Sequence, residues 1–291
     1  MRTFAHNEIY MILVFFIFIF LLGIVIGSFL GVVVDRSIED KSIVSGRSAC
    51  DHCRHKLSWL ELIPVLSYIG LGGRCRSCHA KISLYYPVIE ILTGLLFFLT
   101  VFSILGTSIF FDMFDIRYLF VTSYFLYIIS SLVIVFFADL KYGIIPFKIV
   151  FAAIIITFLW YFLLPILHLQ NLAIPFLALE DNYLFTYLIS GLGALSFFFL
   201  IFLATKGKGM GFGDVVYAFL MGFILGFPNI VLGLYIAFLT GAFVAILLVL
   251  FRIKKLKGGS VPFGPFLILG TVISLFWGKP LIAIILRLLG V

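Results

Sequence analysis

Charge is what this sequence has least of. Only 11% of its 291 residues are Asp, Glu, Lys or Arg, against 64% that are hydrophobic, and its mean hydropathy is +1.27. A soluble domain of this length carries many more charges, so the composition excludes one and implies a polytopic membrane protein. Other absences narrow the field further. No tandem repeat, inverted repeat or low-complexity linker is visible, and no glycine-rich nucleotide-binding pattern. Cysteine is confined to four positions, all within one loop.

What is abundant is apolar sequence of helix length. A helix needs about 20 apolar residues to cross the hydrocarbon layer. The runs 10–34, 84–104, 117–138, 147–168, 183–204, 214–227, 229–251 and 261–277 are candidates. They predict an all-α fold of about eight transmembrane helices. The sixth run is short and ends at Pro228, which predicts a tilted or broken span. The first is too long for the apolar part of a signal peptide. It ends in "GSFLGVVVDR", with no clear small-x-small cleavage site, so it is read as a retained span. The 36 phenylalanines need no cofactor to explain them; lipid-facing bulk suffices.

Loop charge sets the orientation. With the segments 35–83, 139–148, 205–214 and 252–260 in the cytoplasm, every Lys and Arg except Arg2, Arg117, Lys279 and Arg287 lies on that side. This is the asymmetry of the positive-inside rule. The net charge of +7 is therefore an orientation signal, and its division among short loops argues against a nucleic-acid surface. Three regions follow: a first span (1–34), a cytoplasmic loop domain (35–83) and a transmembrane core (84–291). The longest external connection, "LQNLAIPFLALEDN" at 169–182, is read as an interfacial segment.

The loop reads C-x2-C, a spacer, C-x2-C: Cys50, Cys53, Cys75 and Cys78. Paired knuckles of this kind bring four thiolates to one tetrahedral zinc. The spacer is slightly long for such sites, which costs little because loop-closure entropy grows slowly. A reducing cytoplasm disfavours disulfides. Four cysteines leave no open coordination position, so the expected zinc is structural, stapling a domain too small to hold its own core. Four free thiols or a redox pair is the alternative. His52, His55 and His79 are read as surface residues, not ligands.

Acids at membrane edges are rare and usually functional. Three stand out: Asp139 in "VFFADLKYGIIPF", Asp214 in "KGKGMGFGDVVYAF" and Glu90 in "YYPVIEILTG". On this topology all three lie near the cytoplasmic face. Asp139 and Asp214 form a natural pair, because two adjacent carboxylates share a proton. One can take a proton from water while the other donates to a carbonyl oxygen, which is the chemistry of aspartyl peptide hydrolysis. The glycines before Asp214 are expected to adopt positive φ and let backbone approach a substrate closely. A helix N-terminus would ease the charging of Asp214. The alternative makes Asp214 only an N-cap and Asp139 only an interfacial anchor.

With these residues assembled, the chain resembles the bacterial type IV prepilin peptidases, membrane aspartyl proteases of the GxGD type. The resemblance runs in order through "GSFLGVVVDR", both knuckles, "LSWLELIPVLSYIGLGGRCRSC", "ISLYYPVIE", "DLKYGIIP", "GMGFGD" and "VPFGPFLILG". It implies cleavage of the basic leader of prepilins and pseudopilins after a glycine, at the cytoplasmic face of the bacterial inner membrane. By motif, Asp139 and Asp214 become the catalytic acids, and Gly211 and Gly213 the G-x-G before the second. It also implies N-methylation of the new amino terminus with S-adenosylmethionine, an activity linked to the cysteine loop and to a glycine matched by Gly73. The implied partners are prepilin substrates and the lipid bilayer, without nucleic acid.

This sequence departs from the family pattern in places. Phe147 stands where a polar residue is frequent, Val216 where Lys is frequent, and Asp51 where Pro is frequent. Glu90 fits "YP-x-x-E" and is read as structural or substrate-orienting. Other readings are a peptidase without methyltransferase activity, a transporter relaying protons through membrane acids, and a non-catalytic scaffold that uses the zinc loop to hold a partner.

Overall fold

The computed structural model describes residues 2–38, 42, 46–106, 115–167, 169, 183–251, 262–288 and 290. Along the chain they form α1 (Arg2–Ile38), a 3-10 turn (Trp59–Leu62), α2 (Leu66–Gly70), α3 (Tyr85–Leu105), α4 (Ile116–Tyr142), α5 (Phe147–Ile166), α6 (Tyr183–Ala204), α7 (Phe212–Leu225), α8 (Asn229–Leu250) and α9 (Gly264–Leu288). Among the described residues there is no β-strand, only two isolated bridges. Among the described residues seven helices are long and apolar enough to cross a membrane, with α7 as a shorter apolar helix. The protein is an all-α polytopic membrane protein, as the composition requires. The interfacial segment expected at 169–182 lies outside the described residues except for Leu169.

Several helices outrun the hydrophobic patterns. Helix α1 continues through Asp35 to Ile38, past the boundary expected at 34. Helix α4 continues to Tyr142, which places Asp139 inside its last turn. Helix α9 passes through Gly278, Lys279 and Pro280 to Leu288, where the hydropathy pattern stops at 277. Intrahelical bonds are the only cheap partners for backbone groups in lipid, and this carries a helix through breakers that would end it in water.

The chain divides into two compact units, residues 1–134 and 135–291. In the first, α1 packs along α3 through Gly23 and Gly27. A Cβ at Gly23 would meet Gly94 Cα at 2.7 Å, and one at Gly27 would meet Glu90 Cα at 2.8 Å. Small residues four apart give membrane helices this close approach. Glu90, buried in the same seam, accepts the Val65 N–H through Oε2 at 2.7 Å. That bond ties the loop between α1 and α3 to the start of the span, so Glu90 has a structural role here.

In the second unit α7 is the central element. It packs against α5, α6, α8 and α9. Its 14 residues reach only about 21 Å, short of the roughly 30 Å hydrocarbon layer. Burial resolves the mismatch: all but Phe212, Gly213 and Phe219 are buried. The Tyr217 and Thr271 hydroxyls, 2.8 Å apart, join α7 to α9. Interhelical bonds of this kind average about 0.6 kcal/mol in membrane bundles. Gly226, at φ 65°, ends α7.

Candidate active site and metal centre

Asp139 and Asp214 lie within the second unit, and local sequence explains where each one sits. Helix α4 stops just past Asp139 because Gly143 takes the left-handed conformation (φ 66°) and returns its N–H to the Asp139 carbonyl at 2.8 Å. The chain turns through Ile144, Ile145 and Pro146 into α5. Ile145 is buried against Gly213, where a Cβ would fall 2.9 Å from its own Cβ. This contact docks the α4–α5 turn onto the first turn of α7. Asp214 is the third residue of α7, and its Oδ2 accepts the Gly211 N–H at 3.2 Å. It therefore completes the helix start from inside and is not the N-cap; Gly211 is.

Both carboxylates are buried, Asp139 at 5% and Asp214 at 8% exposure. They are close enough for the charge of Asp139 to act on Asp214. The start of α9 closes the site from a third side. Gly264, its first residue, turns its N–H toward the Asp139 carboxylate, and a Cβ there would lie 2.5 Å from Oδ2. Oδ2 makes no hydrogen bond of ordinary geometry to the described residues. Each acid thus faces a helix N-terminus, Asp214 its own and Asp139 that of α9, where the dipole favours negative charge. Gly264 was not singled out by sequence, although "PFGP" places a proline at the second position of a helix, a helix-start signal.

The glycine expectation needs correction. Of the four glycines at 207–213 only Gly207 has positive φ (71°). Gly213 serves close packing against Ile145, and Gly211 sits at φ −74° with only ordinary contacts around an added Cβ. Aromatic side chains gather at the start of α7: Phe212 lies 6.3 Å from Phe147 and 5.7 Å from Phe202 by ring centroids. The departure at Phe147 joins this cluster, and Val216 is buried.

The four cysteines converge in the first unit. Their sulfur atoms all lie within 4.8 Å of one another, with Cys50–Cys78 at 3.8 Å and Cys53–Cys75 at 4.0 Å. A tetrahedral site with bonds of about 2.3 Å has edges of about 3.8 Å, so the set fits one zinc-sized ion. Among the described residues no histidine joins it; His55 Nε2 instead lies 3.9 Å from Glu61.

The two knuckles are copies of each other, a short repeat that the sequence reading missed: "CDHCRHKLS" (Cys50–Ser58) and "CRSCHAKIS" (Cys75–Ser83). Arg54 N–H donates to the Cys50 carbonyl and His79 N–H to that of Cys75, both at 2.9 Å. Cys50 N–H donates to His55 and Cys75 N–H to Ala80, also at 2.9 Å. Arg54 and His79 adopt the same left-handed conformation, φ 59° and 57°. Each costs roughly 1–2 kcal/mol, a strain that a shared ligand can offset. The N–H groups of Cys53 and His52 turn toward Cys50 and lower its thiol to about 7, and those of Cys78 and Ser77 lower Cys75 in the same way. Cys78, despite the Ala80 N–H, is pushed up to about 11 by desolvation and the three neighbouring sulfurs. Thiolates are the metal-binding form.

Gly73 lies beside the second knuckle at φ 67°, and an added Cβ would meet Tyr68 Oη at 2.8 Å. Its carbonyl accepts the Ile82 N–H at 2.8 Å. These are constraints of loop shape, and they hold the knuckle in place.

Comparison with known proteins places the chain in a family. Residues 21–104 match the bacterial peptidase A24 N-terminal domain, and residues 124–246 match the type IV leader peptidase family. A protein of Aeromonas hydrophila named prepilin leader peptidase/N-methyltransferase is 30% identical over 289 residues, spanning 91% of each chain. A Bacillus subtilis protein of the same name is 28% identical over 93% of this chain and 97% of its own. One from Myxococcus xanthus reaches 54% over 84 residues, 29% of this chain and 25% of its own. No solved structure matches. The two family matches, and a relative aligned along nearly its whole length, show that the chain belongs to the type IV leader peptidase family.

Proposed function

We propose that this protein cleaves the leader of type IV prepilins and pseudopilins and then methylates the new amino terminus. The observation that carries the reading is the buried pair Asp139 and Asp214, held within reach of each other's charge at two helix N-termini. In the first reaction the ionised carboxyl accepts a proton from water as the oxygen attacks the scissile carbonyl. The neutral carboxyl donates its proton to the carbonyl oxygen. Collapse of the tetrahedral species expels the amine, which takes up a proton, and no covalent intermediate forms. Gly264 N–H lies on the Asp139 side of the pair, where it can steady the ionised form.

S-adenosylmethionine would supply the methyl group for the second reaction. We assign zinc to Cys50, Cys53, Cys75 and Cys78, with a structural role. Residues 35–83 then form a cytoplasmic zinc-binding domain, 1–34 the first span and 84–291 the peptidase core. The distribution of Lys and Arg among the loops supports a cytoplasmic side for the knuckles and for the acids.

The test is reconstituted protein incubated with prepilin, with and without S-adenosylmethionine, and mass spectrometry of the products. Cleavage after glycine in both samples, with one methyl added only when the donor is present, is the expected result. Cleavage without methylation would leave a peptidase alone, and an intact substrate would contradict the reading. The metal prediction is separate. Purified protein should carry about one zinc per chain, and Cys50→Ser with Cys75→Ser should release it. Unchanged metal content would refute the assigned ligands.

A further inference from the structure

The loop between α1 and α3 exposes large apolar side chains that no membrane span accounts for. Trp59 is 74% exposed, Leu66 67% and Ile69 68%, with Leu60 and Leu62 also exposed. Their order is regular. Trp59 and Leu62 are three apart in a 3-10 turn, where such positions eclipse. Leu66 and Ile69 are three apart on α2 and share a face. Soluble surfaces rarely gather such residues without a partner.

Two observations identify what covers this face. The first is depth. Val65, between the 3-10 turn and α2, donates its N–H to Glu90, and Glu90 lies in the second turn of the span α3. The apolar segment is therefore level with the end of a membrane-crossing helix, and Leu84, just before α3, is 67% exposed beside that end. The second is charge. The flanking knuckles expose Arg54, Lys56, Arg74, Arg76 and Lys81. The acids of the segment Cys50–Ser83 are Asp51, which is exposed, and Glu61, which already accepts the Ser58 N–H at 2.8 Å and the Ser58 hydroxyl at 2.7 Å. A tryptophan-bearing apolar face rimmed by basic residues at membrane level is the pattern of an interfacial anchor.

We propose that Trp59, Leu62, Leu66 and Ile69 lie in the headgroup–acyl boundary of the protein's own bilayer, with the knuckle Arg and Lys residues held over anionic lipid headgroups. The metal-binding loop is then fixed on the membrane surface beside α3. This placement does not depend on the peptidase reading.

The test uses the full chain with Trp160→Phe and Trp277→Phe, which leaves Trp59 as the sole tryptophan. It is reconstituted in phosphatidylcholine vesicles with or without phosphatidylglycerol. Trp59 emission should be blue-shifted, lose intensity with lipid brominated near the headgroup, and resist aqueous iodide. Phosphatidylglycerol should strengthen the lipid quenching. Arg76→Gln and Lys81→Gln should each weaken the docked state roughly fivefold in anionic vesicles. Quenching by iodide and not by brominated lipid would overturn the proposal. So would protection from both quenchers, which would mean that a second copy or another polypeptide covers the face.

Discussion

Replacing Asp139 or Asp214 by Asn stops leader cleavage while the fold persists. Asn keeps the shape of the side chain and most of its hydrogen bonding, but it cannot cycle a proton. General acid–base catalysis contributes about 10²–10⁴-fold, so each variant should lose at least about a hundredfold in kcat. Oδ2 of Asp139 makes no hydrogen bond to the described residues, and Asp214 accepts only one, from Gly211. Little stability is therefore at stake. Both variants should keep the wild-type helical circular dichroism and thermal unfolding, which serve as the folding control. Normal processing by either Asn variant would remove that acid from the mechanism.

Gly264→Ala should be nearly as damaging, and Gly211→Ala should not. An added Cβ at Gly264 would lie 2.5 Å from Oδ2 of Asp139, closer than real contacts allow, and a tight 3.0 Å from its Cγ. The buried carboxyl must move, and a misplacement of about 1 Å can cost about a hundredfold in rate. At Gly211 the nearest atom is Asp214 Oδ2 at 3.6 Å, an ordinary contact, and its N–H stays in place to donate. That variant should change kcat/KM by a few-fold at most, although Gly211 is a G-x-G position and Gly264 is not. Steady-state kinetics on the two alanine variants would decide the matter. An inactive Gly211→Ala beside a fully active Gly264→Ala would show that packing at Asp139 is not what limits the reaction.

Much of this architecture was legible because lipid imposes a simple code. Apolar length located the spans, and C-x2-C spacing located the four clustered cysteines, since both signals are local. Pairing Asp139 with Asp214 took a chemical argument, because nothing in the chain between them says that they meet. The closing contact from Gly264 was not legible, since its role depends on where α9 begins relative to the last turn of α4. The glycines before Asp214 suggested backbone freedom, but Gly213 is there because Ile145 leaves no room for a side chain. The end of α9 was missed because Gly278 and Pro280 break helices in water but not within a bundle. The knuckle repeat was overlooked because few of its positions are identical, although its hydrogen bonds and left-handed residues match one for one.

The most direct test of a two-carboxyl mechanism is the pH dependence of kcat/KM for the native enzyme on a prepilin substrate. One acid must be charged and the other neutral, and the pair titrates as a unit. A bell-shaped profile is expected, with one limb for protonation of the base and one for ionisation of the acid, each losing about tenfold per pH unit. A single limb, or a rate indifferent to pH, would mean that Asp139 and Asp214 do not divide one proton between them.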